Sequence, residues 1–286
     1  MSKKKKFAAH SNNCNNGITS PTTISEICSE ALYHHHNGRI HDAEQLYRKV
    51  IEADPRNADC LHLLGVIALQ RGDNIEAIML ITKAISQKED PLFYNNCGIA
   101  LQREKRLAEA ESCFRNAIRL SAHNASIHNN LGFSLHCQNR LDEAIAAYSK
   151  AIELDMSCLE ARLNIGNAYQ LKGRHEDACT EFQYCIANKP DYYEAYNSLG
   201  IAQKTLGLLS DAINSFTIAI AIKPDVAEAH NNIASILFGQ GMLEEAAERY
   251  RQALMIAPDL EDAKENLQNV ELEIRSAMGR GAGALN

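Results

Sequence analysis

The 286-residue sequence has no apolar run approaching eighteen residues, the length a helix needs to cross a bilayer, so no membrane span is expected. Its nine cysteines, an odd number, include no C-x-x-C pair. The basic start MSKKKK has no apolar stretch behind it, which excludes a secretory signal there. Reduced thiols in a cytoplasmic protein are therefore expected, with Cys97 and Cys185 serving as small hydrophobes. A P-loop, a dinucleotide fingerprint, metal-ligand spacing and a nucleophile–base constellation are all missing. Gly279, Gly281 and Gly283 resemble a nucleotide loop only superficially, because no strand precedes them and no helix follows. His34, His35 and His36 are consecutive, and neighbours on a helix point about 100° apart, so they cannot converge on one ion. No enzymatic activity, cofactor or metal is expected.

Positive charge is outnumbered, with 29 Lys and Arg against 36 Asp and Glu. The formal net charge is −7, and taking away the four lysines at 3–6 leaves −11 for the remainder. Such a body is unsuited to phosphate backbones, so it is not expected to bind nucleic acid. Residues 1–23 are polar and without periodicity, and read as a disordered tail.

What the sequence does contain is a repeat. Residues 125–155 comprise two amphipathic helical runs, with packing positions His128, Leu131, Gly132 and Leu135 in the first and Ala144, Tyr148 and Ala151 in the second. The small Gly132 and Ala144 are expected to lie where the two helices cross. Tyr148 is expected to find no partner inside the unit and to be covered by the next one.

The alanine recurs at Ala43, Ala77, Ala110, Ala144, Ala178, Ala212 and Ala246, at intervals of 34 residues with a single 33. Four residues later stand Tyr47, Ile81, Phe114, Tyr148, Phe182, Phe216 and Tyr250. The glycine position reads Ala31, Gly65, Gly98, Gly132, Gly166, Gly200 and Ala234. Between the helices fall Gly38, Gly72, Gly173, Gly207 and Gly241, with Lys105 and Asn139 in the other two copies. Glycine and asparagine tolerate the left-handed conformation that ends a helix. Lys105 does not, and its turn should be the most strained.

This pattern resembles the tetratricopeptide repeat. It implies an all-α fold, a right-handed α-solenoid of seven helix pairs plus a C-terminal capping helix. The copies would span 24–57, 58–90, 91–124, 125–158, 159–192, 193–226 and 227–260, with the cap at 261–278 and a flexible end at 279–286. One continuous array is expected. The second copy is one residue short and its second helix is apolar on several faces, including Met79 and Leu80, which leaves self-association open.

In that family the first helix of each pair lines a concave groove. The corresponding stripe carries Asn96, Asn130, Asn164, Ser198, Asn232 and Asn266, and the position just before it adds Asn95, Asn129, Asn197 and Asn231. Asn167 and the apolar Phe133 lie further along the same helices. An amide both donates and accepts, so such a ladder suits the main chain of an extended peptide. The first two copies have Ser29 and Leu63 there, and binding is expected from the third copy onward. Glu160, Glu194, Glu228 and Asp262 open the stripe in the later copies and favour a basic ligand over a carboxylate.

The phrases HNNLG and AHNNIA resemble the repeats of O-linked N-acetylglucosamine transferases and related bacterial glycosyltransferases. There the repeats hold the protein substrate while a separate region transfers sugar, and this chain has no such region within it. Two expectations follow from the resemblance: a non-catalytic, bacterial interaction scaffold that binds an extended polypeptide, or the detached substrate-binding subunit of a protein O-glycosyltransferase system.

Overall fold

The structure, a computed structural model, describes residues 23–283, with side chains through 277. The polar tail expected at 1–23 lies outside the described residues except for Thr23, as do the lysines at 3–6 and residues 284–286. Among the described residues there are fifteen helices and no strand, which is the all-α class read from the repeat.

Contacts divide the chain into two compact units between Glu89 and Asp90, where a single uninterrupted array had been expected. In the first unit, α1 (Ile24–His36) pairs with α2 (Ile40–Ala53), and α3 (Ala58–Arg71) with α4 (Asn74–Ile85). The second unit begins with α5 (Pro91–Arg103) paired with α6 (Leu107–Leu120), and α7 (Ala125–Cys137) with α8 (Leu141–Leu154). It continues with α9 (Leu159–Leu171) and α10 (His175–Asn188), then α11 (Tyr193–Thr205) and α12 (Leu209–Ile222), then α13 (Ala227–Gly239) and α14 (Leu243–Ile256). A last helix, α15 (Glu261–Gly283), packs on α14 and α13. Its backbone stays helical to Gly283, where the sequence had placed a flexible end from 279.

The division falls where the repeat is shortened. The α4 helix has 12 residues, whereas α2 and α6 each have 14. The Ser86 hydroxyl donates to the Lys83 carbonyl at 2.7 Å as α4 ends. Asp90 then starts α5 in an extended conformation, its carboxylate accepting from the Leu92 N–H at 2.9 Å.

Each turn inside a pair is closed by a left-handed residue. The five glycines have φ between 72° and 82°, and Asn139 and Lys105 follow the same path at 59° and 60°. Lysine has no local hydrogen bond to offset the clash of its Cβ with the following carbonyl, so the strain expected at Lys105 is present.

The core is built on one recurring contact. A Cβ added to Gly132 would lie 2.6 Å from the Tyr148 ring. The same holds for Gly98 against Phe114, Gly166 against Phe182 and Gly200 against Phe216, at 2.4–2.7 Å. The expectation for Tyr148 is therefore corrected: its first partner is the glycine of its own pair, because the ring reaches back across the crossing onto bare helix backbone. The other flank is closed by the following helix, as for Phe182, which clusters with Ala195, Leu199 and Ala202 of α11. Tyr148 is fully buried, and its hydroxyl is enclosed without a hydrogen-bond partner.

A second brace lies on the other side of the pairs. Glu111 of α6 accepts from Arg140 at 2.6 Å, Gln138 at 3.2 Å and Arg115 at 2.8 Å. Burial pushes its carboxyl upward, but the hydrogen bonds from Arg115, Gln138 and Arg140 outweigh it and hold the group below the ordinary glutamate range. Glu44 plays the same part in the first unit, gripped by Arg48 and Arg71.

Three outcomes follow. Lys105→Gly should stabilise the protein by about 0.5–1 kcal/mol, the relief of left-handed strain exceeding the entropy glycine adds to the unfolded chain, as read by urea unfolding. Tyr148→Phe should stabilise it by about 1 kcal/mol in the same assay, since it removes a buried hydroxyl that nothing satisfies. Glu111→Gln should destabilise it by about 1–3 kcal/mol at pH 7. Because the folded-state pKa of Glu111 is depressed, its contribution is present above about pH 4.3 and is lost as pH falls through the lowered value. The gap between wild type and Glu111→Gln should therefore narrow in unfolding curves recorded below about pH 4.3.

Candidate functional site

In the second unit, each first helix touches the next: α5 with α7, α7 with α9, α9 with α11, α11 with α13, and α13 with α15. The second helices α6, α8, α10, α12 and α14 do not close on one another in this way. The first helices therefore form the inner side of the unit, and the amides expected to form a ladder lie along it.

Those amides do two different jobs. Asn95 and Asn129 are buried, at 9% and 4% exposure. The Asn130 amide donates to the Asn95 carbonyl oxygen at 2.9 Å, and the Asn164 amide donates to that of Asn129 at 3.1 Å. Each bond spans 35 residues and joins one first helix to the next. Asn95 and Asn129 thus have their acceptors occupied by the scaffold. Asn130 and Asn164 are half-buried, have given up one N–H, and keep a second N–H and the carbonyl oxygen. Asn96, Asn167 and Asn266 are half-buried as well.

The series breaks at Leu163, a buried apolar residue where an acceptor amide would stand. Ser198 on α11 has no amide, and its backbone carbonyl instead receives the Gln170 side chain at 3.0 Å. Beyond the break, Asn197 and Asn231 hold the acceptor position again, but their carbonyl oxygens are enclosed without a partner. Asn232, which stands 35 residues after Asn197, turns its own carbonyl oxygen to the Lys204 ammonium at 3.3 Å. Lys204 also donates to the Ser235 hydroxyl. Burial pushes the pKa of Lys204 down.

Sequence reasoning passed over Lys204 and Gln170. The signal was available: Gln102, His136, Gln170, Lys204 and Phe238 recur at 34-residue intervals, nearly two turns beyond the amides. From that position Gln170 and Lys204 reach the helix of the next copy, whereas Gln102 Nε2 and His136 Nδ1 are enclosed without a hydrogen-bond partner.

Apolar side chains complete the face. Phe133 is 45% exposed and Leu171 is 64% exposed. Leu92 and Ile201 also present apolar surface. Among the described residues no group of three or more His, Cys, Asp or Glu is placed to hold a metal ion. His34 lies 3.7 Å from Glu30 and 3.6 Å from Asp42, while His35 turns to the Tyr47 hydroxyl at 3.4 Å. No described helix is long and apolar enough to cross a membrane.

Five tetratricopeptide-repeat profiles match the chain, at residues 28–57, 46–79, 134–173, 160–192 and 227–260. No curated protein matches it. Among solved structures, a tetratricopeptide repeat protein from Parabacteroides merdae superposes with a TM-score of 0.70 at 17% identity, over 87% of this chain and 98% of that one. Pseudomonas aeruginosa pilF gives 0.63 at 18% identity, over 73% of this chain and 95% of that one. YrrB, described as a TPR protein with an unusual peptide-binding site, gives 0.51 at 22% identity, over 65% and 96%. The matched segments, the stacked helix pairs and these likenesses of fold agree that the chain is a tetratricopeptide-repeat protein.

Proposed function

We propose that this protein is an interaction scaffold that binds an extended polypeptide segment along the inner face of its second unit. One observation carries the reading. Asn130 and Asn164 keep an unspent carbonyl oxygen and N–H beside the exposed Phe133 and Leu171, all on first helices that lie side by side. A peptide backbone offers N–H and C=O groups to such amides, and its side chains find apolar surface between them. The peptide-binding site named for YrrB is consistent with this use of the fold.

The test is selection from a displayed library of random peptides, followed by cross-linking from photoreactive residues placed at Phe133, Leu171 or, on the outer side, Met255. Selected peptides should cross-link at positions 133 and 171. Phe133→Ala combined with Asn164→Ala should weaken them by about 1–3 kcal/mol, with helix content unchanged by circular dichroism. Cross-linking confined to position 255 would overturn the reading.

A further inference from the structure

The inner face changes character along its length. On α5, α7 and the end of α9 it is apolar, with Leu92, Phe133 and Leu171 exposed and Ile99 half-buried. The second residue of each first helix reads Leu92, Ser126, Glu160, Glu194, Glu228 and, on the last helix, Asp262. The edge is therefore acidic from α9 onward. Glu160, Glu228 and Asp262 are exposed and Glu194 is half-buried, and none of the four forms an ion pair among the described residues.

Burial pushes the Tyr192 phenol up, and the negative charges of Glu194 and Glu160 push it the same way. The cations near the row are engaged elsewhere: Lys204 with Asn232 and Ser235, Lys264 with Glu261, and Lys189 and Lys223 with tyrosines. Lys189 sits 4.4 Å from the centre of the Tyr192 ring. Lys223 sits 4.6 Å from that of Tyr193 and donates to its hydroxyl at 3.2 Å.

We infer that the occupant of this groove is a bipartite segment, with apolar residues against α5, α7 and the end of α9 and basic residues against the acidic edge from α9 to α15. This rests on the groove reading above and adds the chemistry of the ligand. It also sets a register. Packed helices lie about 8–10 Å apart, and the acidic position recurs once per first helix. A polyproline II-like chain rises about 3.1 Å per residue and returns to the same side every third residue, about 9 Å on. Lysine or arginine at every third position therefore meets one carboxylate per helix, whereas alternate spacing sends successive charges to positions between the helices.

The probe is a set of fluorescent peptides of about fifteen residues. Each has an apolar half and a half with three lysines, placed at every third position or at every second position, and each is made in both chain directions. An analogue carries glutamates in place of the lysines. Binding is followed by fluorescence anisotropy at low and high salt, with wild type and two variants whose thermal unfolding is checked. In one direction, the every-third-lysine peptide should bind about tenfold more tightly than its every-second counterpart, and the glutamate peptide should not bind. The variant Glu160→Gln, Glu194→Gln, Glu228→Gln, Asp262→Asn should lose about tenfold in affinity and most of the salt dependence. Phe133→Ala with Leu171→Ala should lose affinity while the salt dependence stays. Equal binding of the lysine and glutamate peptides, or an unchanged salt slope in the carboxamide variant, would overturn the inference. Random-library peptides that cross-link at positions 133 and 171 but carry no basic periodicity would overturn it while the groove reading stands. Cross-linking confined to position 255 would remove both.

Discussion

The middle of this fold depends on an aromatic ring lying against bare helix backbone, with Ile81 taking that place against Gly65. Gly98, Gly132, Gly166 and Gly200 leave no room for a Cβ beside Phe114, Tyr148, Phe182 and Phe216, so each ring sets how near the two helices of a pair come. A ring seated this way is covered on one flank only. Its other flank is closed by the first helix of the next pair, as with Phe182 against Leu199. The end copies, which carry Ala31 and Ala234 in place of glycine, are covered likewise, Tyr47 by Leu64 and Ile67 and Tyr250 by Val270 of α15. No pair can complete its own core, and this drives the stacking. It also accounts for α15, because the seventh pair would otherwise leave Tyr250 open to water.

The inner face inherits its chemistry from that spacing. Because the first helices are held side by side, amides 35 residues apart come within hydrogen-bonding distance, and two such pairs lock neighbouring copies together. The lock consumes one donor and one acceptor per step. It leaves Asn130 and Asn164 oriented by their own bond with hydrogen-bonding capacity to spare. An amide fixed in this way gives up little rotamer freedom when a ligand arrives, which lowers the entropy lost on binding.

Much of this was legible in the sequence, and what was not has a common cause. The 34-residue register gave the all-α class and the position of every left-handed turn, including the unfavourable one at Lys105, because turn chemistry is local. The division at Glu89 and Asp90 coincides with a visible irregularity, a copy one residue short, but the register alone did not say that the array would separate there. Tyr148 was misjudged, since periodicity shows which face a residue occupies but not how far its ring reaches across a crossing. The amides were visible as a column. That Asn95 and Asn129 spend their acceptors on the neighbouring helix depends on the axial offset between copies, which no single helix encodes. The column that holds Lys204 was visible too, but which groups it meets was not, since its partners Asn232 and Ser235 lie on another helix.

The division of labour among the amides follows the change in polarity along the face. Where the surface is apolar, both acceptor asparagines are locked and the helices are tied directly to one another. Where the edge turns acidic, Leu163 interrupts the series and Asn197 and Asn231 keep enclosed, unpartnered carbonyl oxygens. Lys204 takes the acceptor of Asn232 there. The direct amide ties found earlier along the face do not recur in the acidic stretch, and enclosed acceptors without donors carry a desolvation cost. The direct amide ties are thus distributed unequally along the surface: α5, α7 and α9 are joined by them, and the helices beyond are not, although enclosed polar atoms without partners occur at both ends, at Gln102, His136 and Tyr148 as well as at Asn197 and Asn231.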